Sequence, residues 1–260
     1  MSHFAGLLSL LGMRVAITGG TGTLGRGVVE ELQARGHDVR VLSRHSETYP
    51  VDLTTGAGLS VALEGCDAVV DASNSTKVKV AREILVEGAR RLAEAEKAAG
   101  VRHHVCVSII GCEKVPTGYY KVKIDQERAV EQGGVPWTIV RATQFHDLAA
   151  TVFSATAKFG ILPALNVPLQ TVAVADVSLA IADRVQGEPL ADRYDVAGPE
   201  VLGLRDLARV WKRTTGSRAV PVSVPLPGRM GRALRAGALT DDQPDVRGKI
   251  TFEDWLVSRR

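Results

Sequence analysis

The sequence predicts an α/β protein with a doubly wound parallel sheet, and three features indicate this fold. Through residue 142, short apolar runs alternate with helical patterns, as in strands joined by crossover helices. Apart from Ser108, runs such as VCVSII at 105–110 are continuously apolar, as expected for strands buried on both faces. The first strand leads directly into a glycine-rich turn. We therefore expect a first domain over residues 13–150 and a smaller, substrate-side cap over 151–260 packed on the sheet.

The individual elements follow from apolar periodicity and from turn residues. We predict strands at 13–18, 39–43, 51–53, 67–72, 104–110, 136–141 and 193–196. Helices are predicted at 24–35, 79–99, 119–132 and 204–214, with a short strand and a helix sharing 171–184. Residues 221–227 are predicted to be extended. The basic segment 228–238, with arginines three residues apart, is predicted to be a surface helix; the alternative is a mobile basic lid.

The composition excludes several classes of protein. Hydrophobic residues make up 45% and charged residues 23% of the chain, which is ordinary for a globular domain. A net charge of +3 is too small to indicate nucleic-acid binding, and no apolar run reaches the roughly 18–20 residues that span a membrane. Cys66, Cys106 and Cys112 have no metal-ligand spacing, and we expect the first two in the core. We therefore expect a cytoplasmic protein that binds no metal. We interpret the apolar residues 4–13 as an N-terminal extension rather than a signal peptide.

The glycine-rich turn between the first strand and the first helix has binding chemistry. Gly19, Gly22 and Gly25 are three residues apart, a spacing that allows a tight turn, close backbone approach to a pyrophosphate and close packing of helix on strand. The helix N-terminus then offers free N–H groups to phosphates. The loop therefore predicts a Rossmann-type dinucleotide site; the alternative is a turn that merely needs glycines. The other residues of this site are Thr21, Thr23 and Leu24.

The end of the second strand predicts which dinucleotide binds. Sites for NAD commonly place an acidic residue there for the ribose hydroxyls, but this chain has Ser43 and Arg44. An arginine can pair with the 2′-phosphate of NADP, and a serine can donate to it. We therefore expect NADP(H) rather than NAD(H); the alternative is that Arg44 is an ordinary surface residue.

A candidate catalytic group follows the fifth predicted strand. Ser108 lies near the end of that strand, and Tyr119 and Lys123 are four residues apart, so they share one face of the next helix. A lysine ammonium favours the phenolate and lowers the pKa of a nearby tyrosine. Such a tyrosine can donate a proton to a carbonyl under reduction while the serine holds the carbonyl oxygen. The alternative is a chance pairing on a helix.

Together these motifs resemble the short-chain dehydrogenase/reductase superfamily, and most closely its atypical NmrA-like branch. The likeness runs from about Met13 to Trp255 and includes RATQFH at 141–146. The resemblance implies that Asp52 and Leu53 meet the adenine, that Ser73 and Asn74 border the ribose, and that Ser108, Tyr119 and Lys123 are catalytic, with Lys123 also contacting the cofactor. One departure is that residues 76–100 contain no asparagine, although many relatives have one there. This puts a full proton relay in doubt.

These observations lead to one hypothesis and two alternatives. Gln144, Phe145 and His146 follow the sixth strand, so we expect them at the substrate; the alternative is that they pack and cap. The leading hypothesis is an NADP(H)-dependent oxidoreductase that reduces a small carbonyl or quinone, with a small molecule as its partner and no nucleic acid or membrane. The alternatives are a dinucleotide-binding redox sensor without catalysis and an epimerase with bound cofactor. The sequence leaves the substrate's identity and the oligomeric state open.

Overall fold

The computed structural model describes residues 12–75, 77–223 and 225–259. The strands are β1 (Arg14–Thr18), β2 (Asp38–Leu42), β3 (Ala68–Asp71), β4 (His103–Ile109), β5 (Trp137–Ala142), β6 (Ile161–Pro163), β7 (Pro168–Leu169), β8 (Arg193–Ala197), β9 (Leu202–Gly203), β10 (Val220–Val222) and β11 (Val246–Arg247). The helices are α1 (Thr23–Ala34), α2 (Leu59–Leu63), α3 (Val78–Ala81), α4 (Gly88–Ala99), α5 (Gly118–Glu131), α6 (His146–Ala157), α7 (Val174–Gln186), α8 (Leu204–Thr215), α9 (Gly228–Arg235) and α10 (Phe252–Val257).

A central parallel sheet confirms the predicted fold class. Within the described residues it has seven strands in the order β11-β8-β5-β4-β3-β1-β2, flanked by helices. β1 lies between β2 and β3, and Thr18 is paired with Leu42 on one side and with Asp71 on the other. The carboxyl ends of these three strands therefore meet, which is where ligands of open α/β sheets bind.

The chain forms two compact units whose segments alternate along the sequence. The first comprises the described residues up to Val107 together with Asp125–Ile139 and Ile181–Arg193; the second comprises Ser108–Ile124, Val140–Ala180 and the described residues from Tyr194 onward. Residue 150, where we placed the domain boundary, lies within α6 of the second unit. Each unit has its own apolar cluster, around Leu63 and Leu92 in the first and around Phe153 and Phe252 in the second.

Several predicted elements are confirmed within a residue or two, but the strand predicted at 51–53 is wrong. The Asp52 carboxylate accepts a 2.8 Å hydrogen bond from the Thr54 backbone N–H, which closes a turn. Gly56 and Gly58 follow with φ of +78° and +83°, so the chain turns instead of extending. The predicted helix 79–99 is present, but a π-helical segment at Arg82–Glu87 separates α3 from α4.

The C-terminal half contains elements that the sequence analysis missed. α6 was overlooked because apolar side chains such as Leu148 and Val152 lie on its exposed side, which blurs the helical pattern. α10 could have been predicted from its N-cap residue. The Thr251 hydroxyl caps this helix by accepting a 3.1 Å hydrogen bond from the Asp254 N–H. α9 confirms the surface helix predicted at 228–238. None of the helices in the described part of the chain has both the length and the apolar character to cross a membrane.

Candidate functional site

The glycine turn after β1 requires two of its glycines for steric reasons. Gly19 has a φ of +67°, and a Cβ there would lie 2.5 Å from the carbonyl oxygen of Ala72. A Cβ on Gly25 would lie 2.1 Å from the carbonyl oxygen of Gly19. The first glycine thus permits the turn against β3 and the last permits α1 to pack on it, as predicted from their spacing.

The N-terminus of α1 has the features of a phosphate-binding site. Gly22 is its N-cap, no side chain caps it, and its first turn contains no acidic residue. The first backbone N–H groups of this twelve-residue helix therefore carry the positive end of its dipole without a competing carboxylate. Thr21 and Thr23 are exposed beside it, so their hydroxyls can also reach a phosphate.

A cavity of about 220 Å³ in the first unit opens beside this turn. Eight residues predicted from the sequence as cofactor ligands line it: Gly19, Thr21, Ser43, Arg44, Asp52, Leu53, Ser73 and Asn74. The sequence analysis missed its other walls, which are Thr18, Leu42, Val51, Thr54 and Ile84. The predicted residues Gly22, Thr23, Leu24 and Gly25 lie at the start of α1, whereas Lys123 belongs to the second unit.

The polar side of this cavity suits an anionic group. Arg44 is exposed there, and the Ser43 hydroxyl is buried without a hydrogen-bond partner among the described residues. A buried hydroxyl without a partner is costly unless a ligand or water satisfies it. Asp52 is occupied locally: hydrogen bonds from Thr54 lower its pKa, and Arg44 and Arg91 favour the same charged form.

Asp71 organises the end of β3, although the sequence analysis did not identify it. Its buried carboxylate accepts hydrogen bonds from the hydroxyls of Thr18 and Ser73, each at 2.6 Å. The Ser73 backbone N–H donates at 3.1 Å and the Gln126 amide at 2.9 Å. Asp71 thus connects the end of β1 to the end of β3. The first leads into the glycine turn, and the second borders the predicted ribose site.

Asp71 also belongs to a buried polar cluster in the first unit. Among the described residues, Asp71, His104 and Cys106 bring potential metal-ligating atoms within 4.8 Å of one another. His104 Nδ1 lies 2.7 Å from Glu96, and both side chains are buried. Burial raises the pKa of Glu96. Burial opposes protonation of His104, but the Glu96 charge and the hydrogen bonds with Cys106 and Glu96 together outweigh it and raise the His104 pKa. Asp71 and His104 thus both have hydrogen-bond partners within the protein. Their burial is therefore explained without invoking a metal ion.

The proposed catalytic residues all lie in the second unit. Ser108, near the end of β4, and Lys123, on α5, are buried, while Tyr119 is partly buried in the first turn of α5. The ring centres of Tyr119 and Tyr120 are 5.9 Å apart. Burial raises the pKa of Tyr120, and its neighbours Tyr119 and Cys112 act in the same direction. Tyr120 therefore stays protonated at neutral pH.

The three residues predicted at the substrate differ in their surroundings. His146 is 0% exposed, and its ring nitrogens lie 2.9 Å from the Thr171 hydroxyl and 3.0 Å from the Ile250 carbonyl oxygen. It cross-links the second unit, as the packing alternative expects, and a substrate contact of His146 stays a prediction. Both amide atoms of Gln144 are buried without a partner among the described residues, and a substrate contact of Gln144 and Phe145 stays a prediction.

The doubly wound sheet, the glycine turn and the adjoining cavity define a dinucleotide-binding α/β protein. The chain matches the NAD(P)H-binding family over residues 19–185. It therefore belongs to that family.

Curated relatives include reductases and an assembly factor. The (4-alkanoyl-5-oxo-2,5-dihydrofuran-3-yl)methyl phosphate reductase of Streptomyces griseus is 30% identical over 217 residues, covering 78% of this chain and 74% of the relative. The photosystem II assembly factor Ycf39 of Synechocystis is 28% identical over 239 residues, covering 82% and 71%.

Solved structures with the same fold include an epimerase and a reductase. A nucleoside-diphosphate-sugar epimerase from Staphylococcus aureus has a TM-score of 0.78 at 16% identity, over 94% of this chain and 100% of that one. The NADPH-dependent quinone oxidoreductase of Escherichia coli, complexed with NADPH, has a TM-score of 0.74 at 20% identity, over 94% and 99%. These similarities establish the Rossmann-type fold.

Proposed function

We propose that this protein is an NADP(H)-dependent oxidoreductase of the short-chain dehydrogenase/reductase type, in its NmrA-like branch, that reduces a small carbonyl or quinone. The observation that carries the proposal is the polar side of the cavity in the first unit. Ser43 and Arg44 line it at the position where an NAD site commonly has a carboxylate. The unpartnered Ser43 hydroxyl and the exposed guanidinium offer donors to a 2′-phosphate.

The other residues at the cavity bind the other parts of the dinucleotide in this proposal. The N–H groups at the start of α1, with Thr21 and Thr23, bind the pyrophosphate. Asp52 and Leu53 border the adenine, and Ser73 and Asn74 border the ribose. Asp71 positions Ser73 through two hydrogen bonds and contacts no ligand itself.

NADPH, when bound, would supply the hydride for the carbonyl carbon. Tyr119 would donate its proton to the carbonyl oxygen, so that the carbonyl becomes an alcohol. Lys123 stabilises the Tyr119 phenolate that forms, and Ser108 donates a hydrogen bond to the carbonyl oxygen. Solvent returns the proton to Tyr119.

A redox sensor without catalysis is the second candidate. The relative Ycf39 is described as an assembly factor, and residues 76–100 have no asparagine for a proton relay. The two functions differ in one respect, because a sensor needs no proton donor at Tyr119.

Oxidation of NADPH against a panel of ketones, aldehydes and quinones tests this proposal. We expect turnover with at least one class, and Tyr119→Phe should lower kcat/KM by about 10²-fold or more without weakening NADPH binding, since general acids contribute on that scale. Tyr49→Phe is the matched control: that ring lies under the Arg40 guanidinium and should leave the rate unchanged. Wild-type rates in Tyr119→Phe would remove Tyr119 from the reaction, and tight NADPH binding without any turnover would favour the sensor.

A further inference from the structure

The second unit contains an apolar cavity of about 230 Å³ that the sequence analysis did not anticipate. Of the described residues that line it, all but Thr117 and Tyr120 are aliphatic or methionine. Its walls come from separate stretches of the chain and include Val115, Leu165, Leu169, Leu204, Met230 and Leu234. A pocket of this kind selects an apolar ligand, because it offers very few polar partners.

The wall of the cavity formed by α9 and the residues after it is held in place by close packing. A Cβ on Gly111 would lie 1.7 Å from the carbonyl oxygen of Ala238, so the segment after α9 lies directly on the turn that follows β4. Ala238, Leu239 and Val115 form a buried cluster there, with Leu234 of α9 packed against it. The cavity is therefore a preformed feature of the unit.

The two faces of α9 differ in chemistry. Met230 and Leu234 line the cavity, whereas Arg229, Arg232 and Arg235 are exposed. The charged residues thus keep one face of the helix in water while the apolar face covers the cavity. Met230 is 38% exposed, so it lies at the border between the cavity and solvent.

The cavity adjoins the proposed proton donor. Tyr120 lines it, and the ring centre of Tyr120 lies 5.9 Å from that of Tyr119. A chain that fills the cavity therefore contacts Tyr120, whose ring neighbours that of Tyr119. At about 30 Å³ for each water-sized group, which is close to the size of a methylene, the cavity accommodates roughly seven or eight such groups.

We infer that the cavity holds a straight alkyl or acyl chain of about seven or eight carbons, attached to the carbonyl that is reduced. This inference rests on the proposed reductase function and names its substrate class. Chain length then controls affinity, because each methylene moved from water into an apolar site improves binding by up to about fourfold.

The experiment uses straight-chain methyl ketones of four to twelve carbons. Calorimetry measures their binding to the protein with NADP⁺, and NADPH oxidation measures kcat/KM. We expect both affinity and kcat/KM to rise by about two- to fourfold per methylene and to level off when the cavity is full. A flat series in both measurements would overturn the inference.

Two substitutions fill the cavity from different sides. Met230→Trp and Leu165→Trp should abolish the dependence of affinity and of kcat/KM on chain length. Val257→Trp, at a position 54% exposed on α10, is the control and should keep the full dependence. If both cavity variants also keep it, the chain binds elsewhere and the inference is wrong.

The two measurements separate this inference from the proposed function. If affinity rises steeply with chain length but no ketone is turned over, the cavity binds the chain and the proposed reductase function is wrong. If ketones are turned over at rates independent of chain length, the proposed reductase function stands and the assignment of the cavity to the substrate's chain is wrong.

Discussion

The Asp71 carboxylate accepts a 2.6 Å hydrogen bond from the Thr18 hydroxyl in the buried centre of the first unit. Thr18 is the last residue of β1 and Asp71 the last of β3, and the two are paired in register. Gly19, the first residue of the turn, follows directly. The position of the glycine turn therefore depends on a side-chain contact between two neighbouring strands.

Asp71→Asn should weaken both folding and cofactor binding. The amide removes the charge that favours the Thr18, Ser73 and Gln126 hydrogen bonds, and we expect a loss of about 2–3 kcal/mol in the free energy of unfolding. NADPH affinity should fall as well, because Ser73 and the glycine turn lose their common anchor. Urea unfolding and NADPH titration measure the two effects.

The control for this prediction is Asp242→Asn. Asp242 is exposed, so its substitution should change stability by less than about 0.5 kcal/mol. Asp71→Asn with the stability and affinity of wild type would show that the hydrogen bonds of Asp71 do not position the site.

Two alanine substitutions in the glycine turn should have different effects. A Cβ on Gly25 meets a backbone oxygen at 2.1 Å, whereas a Cβ on Gly22 has its nearest neighbour at 3.1 Å. Gly25→Ala should lower the free energy of unfolding by about 1–3 kcal/mol through overpacking. Gly22→Ala should fold nearly normally but bind NADPH at least about tenfold more weakly, since backbone approaches the pyrophosphate at this position.

Thermal unfolding and NADPH titration of both proteins check this pair. The decisive variant is Gly22→Ala, because its fold is expected to remain intact. If it binds NADPH as tightly as wild type, the pyrophosphate does not contact the turn at Gly22.

His103 should make the protein less stable in acid. Burial, with help from the charges of His104 and Arg184, lowers its pKa from 6.5 to about 4. The unfolded chain takes up this proton as the pH falls below 6.5, but the folded protein takes it up only near pH 4. Stability is therefore lost as the pH falls through this window, by up to about 3 kcal/mol.

His103→Gln removes this contribution while keeping a polar partner for the Thr138 hydroxyl, which lies 2.9 Å from the His103 ring. Urea unfolding at pH 7 and at pH 4 should show a smaller loss in the variant than in wild type. Equal losses in the two proteins would mean that His103 does not control acid stability.

The sequence predicted those features that depend on local spacing. Strands β1 to β5 could be predicted from strand–helix alternation, because strands and helices have different apolar periods. Gly19 and Gly25 could be recognised because a tight turn restricts the residue type at fixed positions. Arg44 was found in the same way, by its place after β2. Their convergence on one cavity follows from parallel strands ending at the same edge.

Features that depend on tertiary contacts could not be predicted in this way. Asp71 was missed because its importance comes from its register with Thr18. His146 was expected at the substrate from its position after β5, and its hydrogen bonds with Thr171 and Ile250, far along the chain, could not be predicted from local spacing. The apolar cavity has walls contributed between residues 115 and 239, and no local pattern in the sequence indicates that they meet.

Calorimetric titration of the wild-type protein with NADPH and with NADH tests the assignment of the cofactor. We expect NADPH to bind more tightly, and Arg44→Ser to weaken NADPH binding by about ten- to a hundredfold while leaving NADH binding unchanged. Arg90→Ser, at an exposed arginine paired with Glu87, should affect neither. Equal wild-type affinities for the two dinucleotides, or an unchanged preference in Arg44→Ser, would contradict the assignment of Ser43 and Arg44 to the 2′-phosphate.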